Sequence, residues 1–178
     1  AYVPSMSGCD NFCSFCVVPY TRGREASRNS EEIINEITTL IEKGYKAITL
    51  IGQNVNSFGK SSGENIDFPK LVKKICDIPG DFWIWYVSSH PKDMSPELIK
   101  LHKTEPKLAN YIHFAVQSGS DRILKAMNRH YTYDHCVELT SYIKNELPGV
   151  MLSTDLIVGF PGETEEDFEQ TRELCKEI

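Results

Sequence analysis

The sequence predicts an α/β fold built on a parallel sheet. Five times along the chain, a run of alternating or continuous apolar residues is followed by a segment whose apolar residues have helical spacing. Connections of this kind between parallel strands are right-handed. Five units in 178 residues leave about 35 residues each, too few for an eight-fold barrel of about 250 residues. We therefore expect a partial barrel or an open sheet.

Each unit pairs one predicted strand with one predicted helix. The predicted strands cover 2–6, 47–51, 82–87, 111–116 and 151–158. The predicted helices run from Asn29 to Gly44, through 68–75, from Ser95 to Leu101, over 121–147 with an interruption at 130–132, and onward from Thr164. Asn29 is a typical N-cap, and Gly44 is a typical stop. Three acidic residues after Thr164 favour the start of a helix through the macrodipole.

Composition and charge exclude several classes of protein. With 40% hydrophobic and 25% charged residues, the chain is neither disordered nor of low complexity. No apolar stretch approaches the roughly twenty residues that a membrane span needs. The balance of 19 basic and 25 acidic residues gives a net charge of −6. This acidity argues against a protein that grips nucleic acid over its whole surface, so a nucleic-acid partner must use a local patch or another domain.

Polar and glycine-rich stretches directly follow each predicted strand. They are 8–16, 52–54, 88–91, 117–120 and 159–163. The opposite junctions, from helix to strand, carry only turn signals such as Pro79-Gly80. Because the carboxyl ends of parallel strands converge on one rim, where ligands bind, the five stretches are expected to face one site.

The six cysteines fall into two groups. Cys9, Cys13 and Cys16 lie within eight residues in a polar loop, whereas Cys76, Cys136 and Cys175 occupy apolar positions at helical spacing and are predicted to be buried. A tetrahedral zinc site needs a fourth ligand, and no histidine is close in sequence. Three thiolates can hold a cubane iron-sulfur cluster and leave one iron open. The spacing favours a cluster over zinc, in a cytosolic metal protein rather than a disulfide-stapled secreted one.

The cysteine spacing resembles the signature of the radical S-adenosylmethionine (SAM) superfamily, Cys-x3-Cys-x-aromatic-Cys at the end of the first strand of a barrel. Further motifs extend the likeness along the whole chain. They are 17–25, Ser27-Arg28, 52–56, 89–93, 116–120, Tyr131-Thr132 and 155–163. Together these resemble the methylthiotransferases, and most of all the branch that modifies isopentenyladenosine beside the tRNA anticodon (the MiaB family). The resemblance implies a partial barrel of the radical SAM type, with five of six units present.

The resemblance implies a role for individual residues. Cys9, Cys13 and Cys16 match the ligands of a 4Fe-4S cluster, whose open iron binds the amino and carboxylate groups of SAM. Phe15 matches the aromatic residue that supports the adenine of SAM. The other expected cofactor contacts are Gly52, Gln53, Asn54, Gln117, Ser118, Gly159 and Glu163. The sequence assigns no catalytic residue, and for His90 a hydrogen-bonded place at the rim is favoured over a catalytic role.

Four arginines are candidates for contact with RNA. Arg22, Arg24 and Arg28 follow the cysteine loop closely, and Arg129 belongs to a weaker basic cluster before Tyr131. Guanidinium forks suit phosphates and carboxylates, so the first three could hold either the RNA backbone or the SAM carboxylate. For Arg24 a solvated face is an equal alternative.

The expected domain is a radical SAM core over 1–178, cut at both ends. The family has an N-terminal domain with a second cluster and a C-terminal RNA-binding TRAM domain, both expected to lie outside this chain. The leading hypothesis is the core of a tRNA methylthiotransferase acting on isopentenyladenosine. It implies a cytoplasmic monomer with a tRNA substrate, an electron donor such as flavodoxin or ferredoxin, and no membrane contact. The alternatives are a methylthiotransferase for threonylcarbamoyladenosine or a ribosomal protein aspartate, and a non-catalytic module that binds a metal or RNA.

Overall fold

The computed structural model describes residues 1–61, 63 and 65–178, which form alternating strands and helices. The strands are β1 (Tyr2–Pro4), β2 (Met6–Ser7), β3 (Ala26–Ser27), β4 (Ala47–Ile51), β5 (Trp83–Tyr86), β6 (Tyr111–His113) and β7 (Met151–Ser153). The α-helices are α1 (Val18–Thr21), α2 (Ser30–Glu42), α3 (Phe68–Cys76), α4 (Pro96–Thr104), α5 (Asp121–Ala126), α6 (Tyr133–Glu146) and α7 (Glu165–Glu177). Short 3-10 helices cover Val55–Ser57 and Pro91–Asp93.

Five of the strands pair in parallel, and they lie side by side in the order in which they occur along the chain: β1, β4, β5, β6 and β7. β4 lies between β1 and β5, and β6 pairs with β7. Two single parallel bridges reach the segments on either side of β6: Ile84 in β5 pairs with Leu108, and Ser89, after the end of β5, pairs with Phe114. An order without a reversal point is that of a singly wound barrel wall rather than of a doubly wound sheet. The predicted parallel α/β architecture is confirmed.

Four of the predicted strands are longer than the observed ones. β6 ends at His113 and β7 at Ser153, although extended apolar sequence continues beyond both. The first predicted strand divides at Ser5, and its second part, β2, pairs antiparallel with β3. The predicted ends of these strands were wrong because the chain turns there and brings the loops onto the rim. At the rim, single bridges such as Gln117 to Leu156 replace a continuous ladder of hydrogen bonds between strands.

The predicted helix boundaries are close to the observed ones. The Asn29 side chain accepts from the backbone N–H groups of Glu31 and Glu32. Ser95 caps α4, and Thr164 forms a capping box with Asp167 at the start of α7. Each cap supplies an acceptor to N–H groups that have no partner within the helix. The predicted interruption near residues 130–132 is the break between α5 and α6.

The hydrophobic core lies between the sheet and the helices. It contains Ile48, Leu50 and Ile84 from the strands together with apolar faces of α2, α3, α4 and α6. Cys76 and Cys136 are buried in it, as predicted. Cys175 is exposed, so its prediction was wrong: α7 buries Leu174, and the adjacent position points about 100° away around the helix. No helix within the described residues is long and apolar enough to span a bilayer.

Candidate functional site

One cavity of about 350 Å³ opens at the carboxyl ends of the parallel strands. Every strand-end segment of the sheet contributes to its lining. The lining residues are Cys9, Asn11, Cys13, Phe15, Cys16, Val18, Gly52, Gln53, Ser88, Ser89, His90, Ala115, Gln117, Arg129 and Asp155. Four of the five predicted stretches contribute to this cavity. The fifth, 159–163, does not line it, and Asp155 is the contribution that follows β7.

The three clustered cysteines all line this cavity. Cys9 and Cys13 are each 9% exposed and Cys16 is half-buried, and a turn closes where the Cys16 N–H donates to the Cys13 carbonyl (2.9 Å). Burial raises the pKa of the Cys9 thiol. Within the described part of the chain, no three His, Cys, Asp or Glu side chains lie close enough to hold a single metal ion. A cubane attaches its thiolates to separate irons, so three thiols around one cavity fit a cluster better than zinc.

The cysteine loop is anchored to the break between α5 and α6. The Ser14 N–H donates to the Met127 carbonyl (3.0 Å), and its hydroxyl donates to the Ala126 carbonyl (2.9 Å). Asn128 Nδ2 donates to the carbonyls of Asn11 (3.2 Å) and Phe12 (2.9 Å). These contacts span more than 110 residues of sequence and satisfy the loop's backbone groups, which fixes the direction of its thiols.

Arg129 reaches from the same break into the cavity wall. Its Nη1 donates to Cys13 Sγ (3.2 Å), its Nη2 to the Ala115 carbonyl (2.6 Å) and its Nε to Tyr131 Oη (2.7 Å). Tyr131 Oη in turn donates to the Val116 carbonyl (2.6 Å). The guanidinium therefore connects a predicted cluster ligand to the backbone that follows β6.

The path of the cysteine loop requires glycine at its start. Gly8 has φ +71°, and a Cβ there would lie 2.1 Å from the Arg24 carbonyl oxygen. Only glycine allows the returning chain to cross at this distance. At Gly52 a Cβ would lie 2.6 Å from Met6 Cγ, so this glycine is explained by packing against β2.

Three non-glycine residues of the rim have left-handed backbone conformations. They are Phe12 (φ 48°), Ser88 (φ 65°) and Gln117 (φ 73°). Such conformations cost free energy and persist where surrounding contacts determine them, most often at functional sites. Their concentration around one cavity supports its identification as the functional site.

Two buried polar atoms of the cavity lining are unpaired. Gln53 Oε1 and Ser89 Oγ make no hydrogen bond to any residue that the structure describes. Buried polar atoms are nearly always hydrogen-bonded in folded proteins. Unpaired atoms beside three thiols fit a polar ligand such as SAM, whose amino group could donate to Gln53.

The structure separates the predicted cofactor contacts into two groups. Phe15, Gly52, Gln53 and Gln117 line the cavity. Asn54, Ser118, Gly159 and Glu163 do not line it.

Each residue of the second group has another structural role. Asn54 is 2% exposed, and its Nδ2 donates to Asp93 (2.8 Å) at a smaller neighbouring cavity. Ser118 is fully buried, 3.2 Å from the Thr171 hydroxyl. Glu163 accepts from the N–H groups of Gly159 and Phe160 and so closes its own loop. These contacts hold the rim together from behind the cavity.

His90 is 5% exposed and stays neutral in the cavity wall. Burial, followed by the positive charges of Arg129 and Lys92, lowers its pKa to about 3. Its Nδ1 accepts from the Lys92 N–H (3.3 Å), and its ring meets Tyr131 edge to face at 5.3 Å. The structure agrees with a hydrogen-bonded rim residue, as expected from the sequence.

The four candidate arginines lie in different environments. Arg22 is exposed, and Arg24 is exposed in an ion pair with Asp10 (2.7 Å). Arg28 donates to the Pro4 carbonyl (2.7 Å) and pairs with Glu36 (2.8 Å), which occupies its guanidinium. Arg129 is only 8% exposed. Of the four, Arg22 and Arg24 remain available to a large partner.

Sequence reasoning assigned no role to three groups at this site. Asn11, Asn128 and Tyr131 carry the anchoring contacts, but none belongs to a charge or metal pattern. The break between α5 and α6 was predicted from the sequence. Polar side chains at a helix break that follows a rim loop are the signal that could have found Asn128 and Tyr131.

Comparison with known proteins gives a consistent result. The sequence profile of the Radical SAM superfamily matches residues 3–175. Curated relatives named tRNA-2-methylthio-N(6)-dimethylallyladenosine synthase include one from Clostridium perfringens strain SM101, 54% identical over 178 residues. Another, from Thermoanaerobacter sp. strain X514, is 51% identical over 178 residues. Both alignments cover 100% of this chain and only 40% and 38% of the relatives, so the chain spans about two fifths of their length.

Solved structures share the fold at low sequence identity. The methyltransferase TsrM from Kitasatospora setae, with cobalamin and a [4Fe-4S] cluster bound, superposes with a TM-score of 0.79 at 18% identity. It covers 99% of this chain and 34% of that one. OxsB, with aqua-cobalamin and S-adenosylmethionine bound, gives a TM-score of 0.77 at 14% identity over 97% of this chain and 26% of that one. These likenesses concern the fold alone.

Proposed function

The chain belongs to the radical SAM superfamily, and we propose that it is the SAM-cleaving core of a tRNA methylthiotransferase that acts on isopentenyladenosine. The observation that carries the proposal is the meeting of three cysteines, Phe15 and Gln53 around one cavity at the strand ends. The whole-chain similarity to dimethylallyladenosine methylthio synthases supports this substrate.

The proposed cofactors are a 4Fe-4S cluster on Cys9, Cys13 and Cys16, and SAM. When bound, they would supply the radical chemistry that removes hydrogen from an unreactive carbon. The protein's part is to position them. Cys9 and Cys13 are each 9% exposed, so these two thiols are largely shielded from bulk solvent. Phe15, 39% exposed, offers a ring face for an adenine at the mouth of the cavity.

Other polar groups of the cavity lining would orient SAM. Gln53 Oε1 is a buried acceptor without a partner in the described chain, which suits an ammonium donor. Gln117 follows β6 with its backbone fixed between Asp155 and Ile157 by two hydrogen bonds of 2.9 Å. Its side chain is therefore presented from a rigid support, which favours binding at a defined distance from the cysteines.

An exposed patch beside the cavity could contact RNA. Val17 and Tyr20 are 63% and 78% exposed on the segment that follows Cys16, and Arg22 and Arg24 continue it. Exposed aromatic rings stack on unpaired bases, and arginines bind phosphates. We infer that this rim patch (Val17, Tyr20, Arg22 and Arg24) receives the tRNA loop, with most of the remaining RNA contacts made outside this chain.

We further propose the organisation of the whole protein. Residues 1–178 form the radical SAM core of a longer chain that also has a domain with a second cluster and an RNA-binding TRAM domain. It would work in the cytoplasm as a monomer, with a one-electron donor such as flavodoxin or ferredoxin. The relatives are more than twice as long as this chain, which supports additional domains.

The test is to express the full-length protein in bacteria that lack their own tRNA methylthiotransferase. Nucleosides from total tRNA are then analysed by mass spectrometry. We expect the methylthio form of isopentenyladenosine to appear, and the Cys13→Ala variant to abolish it. Arg22→Glu should reduce it several-fold without loss of cluster, because the reversed charge repels phosphate at the rim patch.

The other outcomes distinguish the alternatives. A methylthio group on threonylcarbamoyladenosine or on a ribosomal protein aspartate would replace the proposed substrate. A protein that holds its cluster yet modifies none of these, and yields no deoxyadenosine from SAM with dithionite, would contradict the enzymatic function and favour a binding module.

A further inference from the structure

Arg129 is a buried cation without a carboxylate partner. The residue is 8% exposed, and none of the ion pairs within the described chain joins it to an Asp or Glu. The comparable buried charge, Asp167, is paired with Arg122. Burying an unpaired charge is costly, so an anion is expected near the guanidinium.

The contacts of Arg129 identify the position of that anion. Two of its three hydrogen bonds go to neutral acceptors, the Ala115 carbonyl and the Tyr131 hydroxyl. The third goes to Cys13 Sγ at 3.2 Å. As a thiolate, and as part of a cluster, this sulfur carries the missing negative charge.

The guanidinium is held rigidly at the sulfur. Its backbone N–H donates to the Leu124 carbonyl (2.8 Å), and Tyr131 Oη is tied to the Val116 carbonyl. The same charge also acts on His90, which packs against the other side of this network at Tyr131, since it is among the causes that lower the pKa of His90. Contact with an RNA backbone, the role expected from the sequence, does not suit so buried a group.

We propose that Arg129 is a positioning residue that raises the reduction potential of the cluster through its hydrogen bond to Cys13 Sγ. The inference rests on the proposed function, because it requires a cluster on Cys9, Cys13 and Cys16. On reduction the cluster accepts one electron from a one-electron donor, no bond is made or broken, and its negative charge increases. A fixed cation hydrogen-bonded to a ligand sulfur stabilises the more negative state.

The test is an electron paramagnetic resonance redox titration of the full-length protein after anaerobic reconstitution, with dithionite as reductant. The signal of this cluster is the one lost in Cys13→Ala. In Arg129→Gln we expect the ratio of reduced to oxidised cluster at a fixed potential to fall at least tenfold. For a one-electron couple, a tenfold fall corresponds to a reduction potential lower by about 59 mV. Lys125→Gln is the matched control, because it removes one exposed positive charge nearby and should change the ratio less than twofold.

Each result supports or overturns the inference. It is overturned if Arg129→Gln keeps its cluster and its ratio equals that of the wild type or of Lys125→Gln. If Arg129→Gln yields too little folded protein, Arg129→Lys decides. An ammonium carries its three donors on one nitrogen and cannot reproduce the planar fork that reaches Cys13, Ala115 and Tyr131, so the ratio should fall, and a wild-type ratio overturns the inference. A wild-type protein that binds no cluster contradicts the proposed function itself.

Discussion

The cysteine loop (8–16), which follows β1 and β2, and the loop after β7 lie at the same edge of the sheet but are stabilised in different ways. The first carries the cysteines and is held by distant residues, Asn128 and Arg129, which turn it toward the cavity. The second, 159–163, closes on itself through Glu163 and is followed by a capped helix. A position at a strand's carboxyl end thus brings a loop to the rim, but its hydrogen bonds decide whether it faces the ligand.

The largest expected difference between the loops is in metal content. Replacing Cys9, Cys13 or Cys16 by Ala should remove the cluster, because each supplies one of three thiolates. Iron analysis and the visible spectrum after anaerobic reconstitution measure it. Cys175→Ala is the control, since this exposed cysteine lies outside the cavity and should leave iron unchanged. Equal iron in Cys13→Ala and the wild type would contradict the assignment.

A pair of glycines compares the loops by backbone alone. Gly8 and Gly162 both have positive φ, but only at Gly8 does an added Cβ meet backbone, at 2.1 Å. Gly8→Ala should displace the cysteine loop and reduce the iron bound at this cluster severalfold. Gly162→Ala should cost about 1 to 2 kcal/mol of stability from backbone strain and leave iron content unchanged. The same iron loss in both variants would mean that the loops are not independent.

The start of α7 supports the second loop through one carboxylate. Hydrogen bonds from Arg122, Ser120 and Thr164 hold the pKa of Asp167 well below its usual range. A lowered pKa in the folded state stabilises the protein above the ordinary pKa of about 3.9, and this stabilisation is lost as the pH falls further.

Asp167→Asn should therefore lower the melting temperature by several degrees at pH 7. The difference in melting temperature between this variant and the wild type should become smaller as the pH falls below about 4. Glu166→Gln, an exposed acid in the same turn, is the control and should have little effect. Reduced iron in Asp167→Asn at a temperature where it remains folded would contradict the separation of the two loops.

The smallest expected effect concerns SAM affinity. Gln53→Leu removes the unpaired acceptor in the cavity, and one hydrogen bond of about 1 kcal/mol corresponds to about fivefold weaker binding. Glu163→Gln, outside the cavity, should leave the affinity unchanged. Equilibrium dialysis with the cluster-loaded protein measures both. If SAM bound more weakly to Glu163→Gln but not to Gln53→Leu, the second loop rather than Gln53 would be the SAM contact.

Local sequence signals predicted the parts of the fold that local physics determines. The caps at Asn29 and Thr164 were correct because each cap contacts N–H groups within three residues. The cysteine loop was recognised by its spacing, which reflects how closely three thiols must approach one centre.

Features that depend on distant contacts were not predictable from the sequence. The burial of Arg129 depends on Cys13, 116 residues away, so its charge was interpreted as a surface feature. Likewise, the pairing of Met6 with Ser27 in β2 and β3 shortens the first strand. At the end of the fifth predicted strand, the glycines are compatible both with a turn and with a ligand contact. Only the hydrogen bonds of Glu163 distinguish these two roles.

The most direct test of a shared cluster and SAM cavity is the electron paramagnetic resonance spectrum of the reduced, reconstituted protein before and after addition of SAM. Three cysteines would leave one iron of a cubane without a protein ligand, and Gln53 lines the same cavity. We therefore expect SAM to change the spectrum, and Cys13→Ala to give no such signal. A spectrum that SAM leaves unchanged, or a colourless protein that retains zinc instead of iron, would contradict the account.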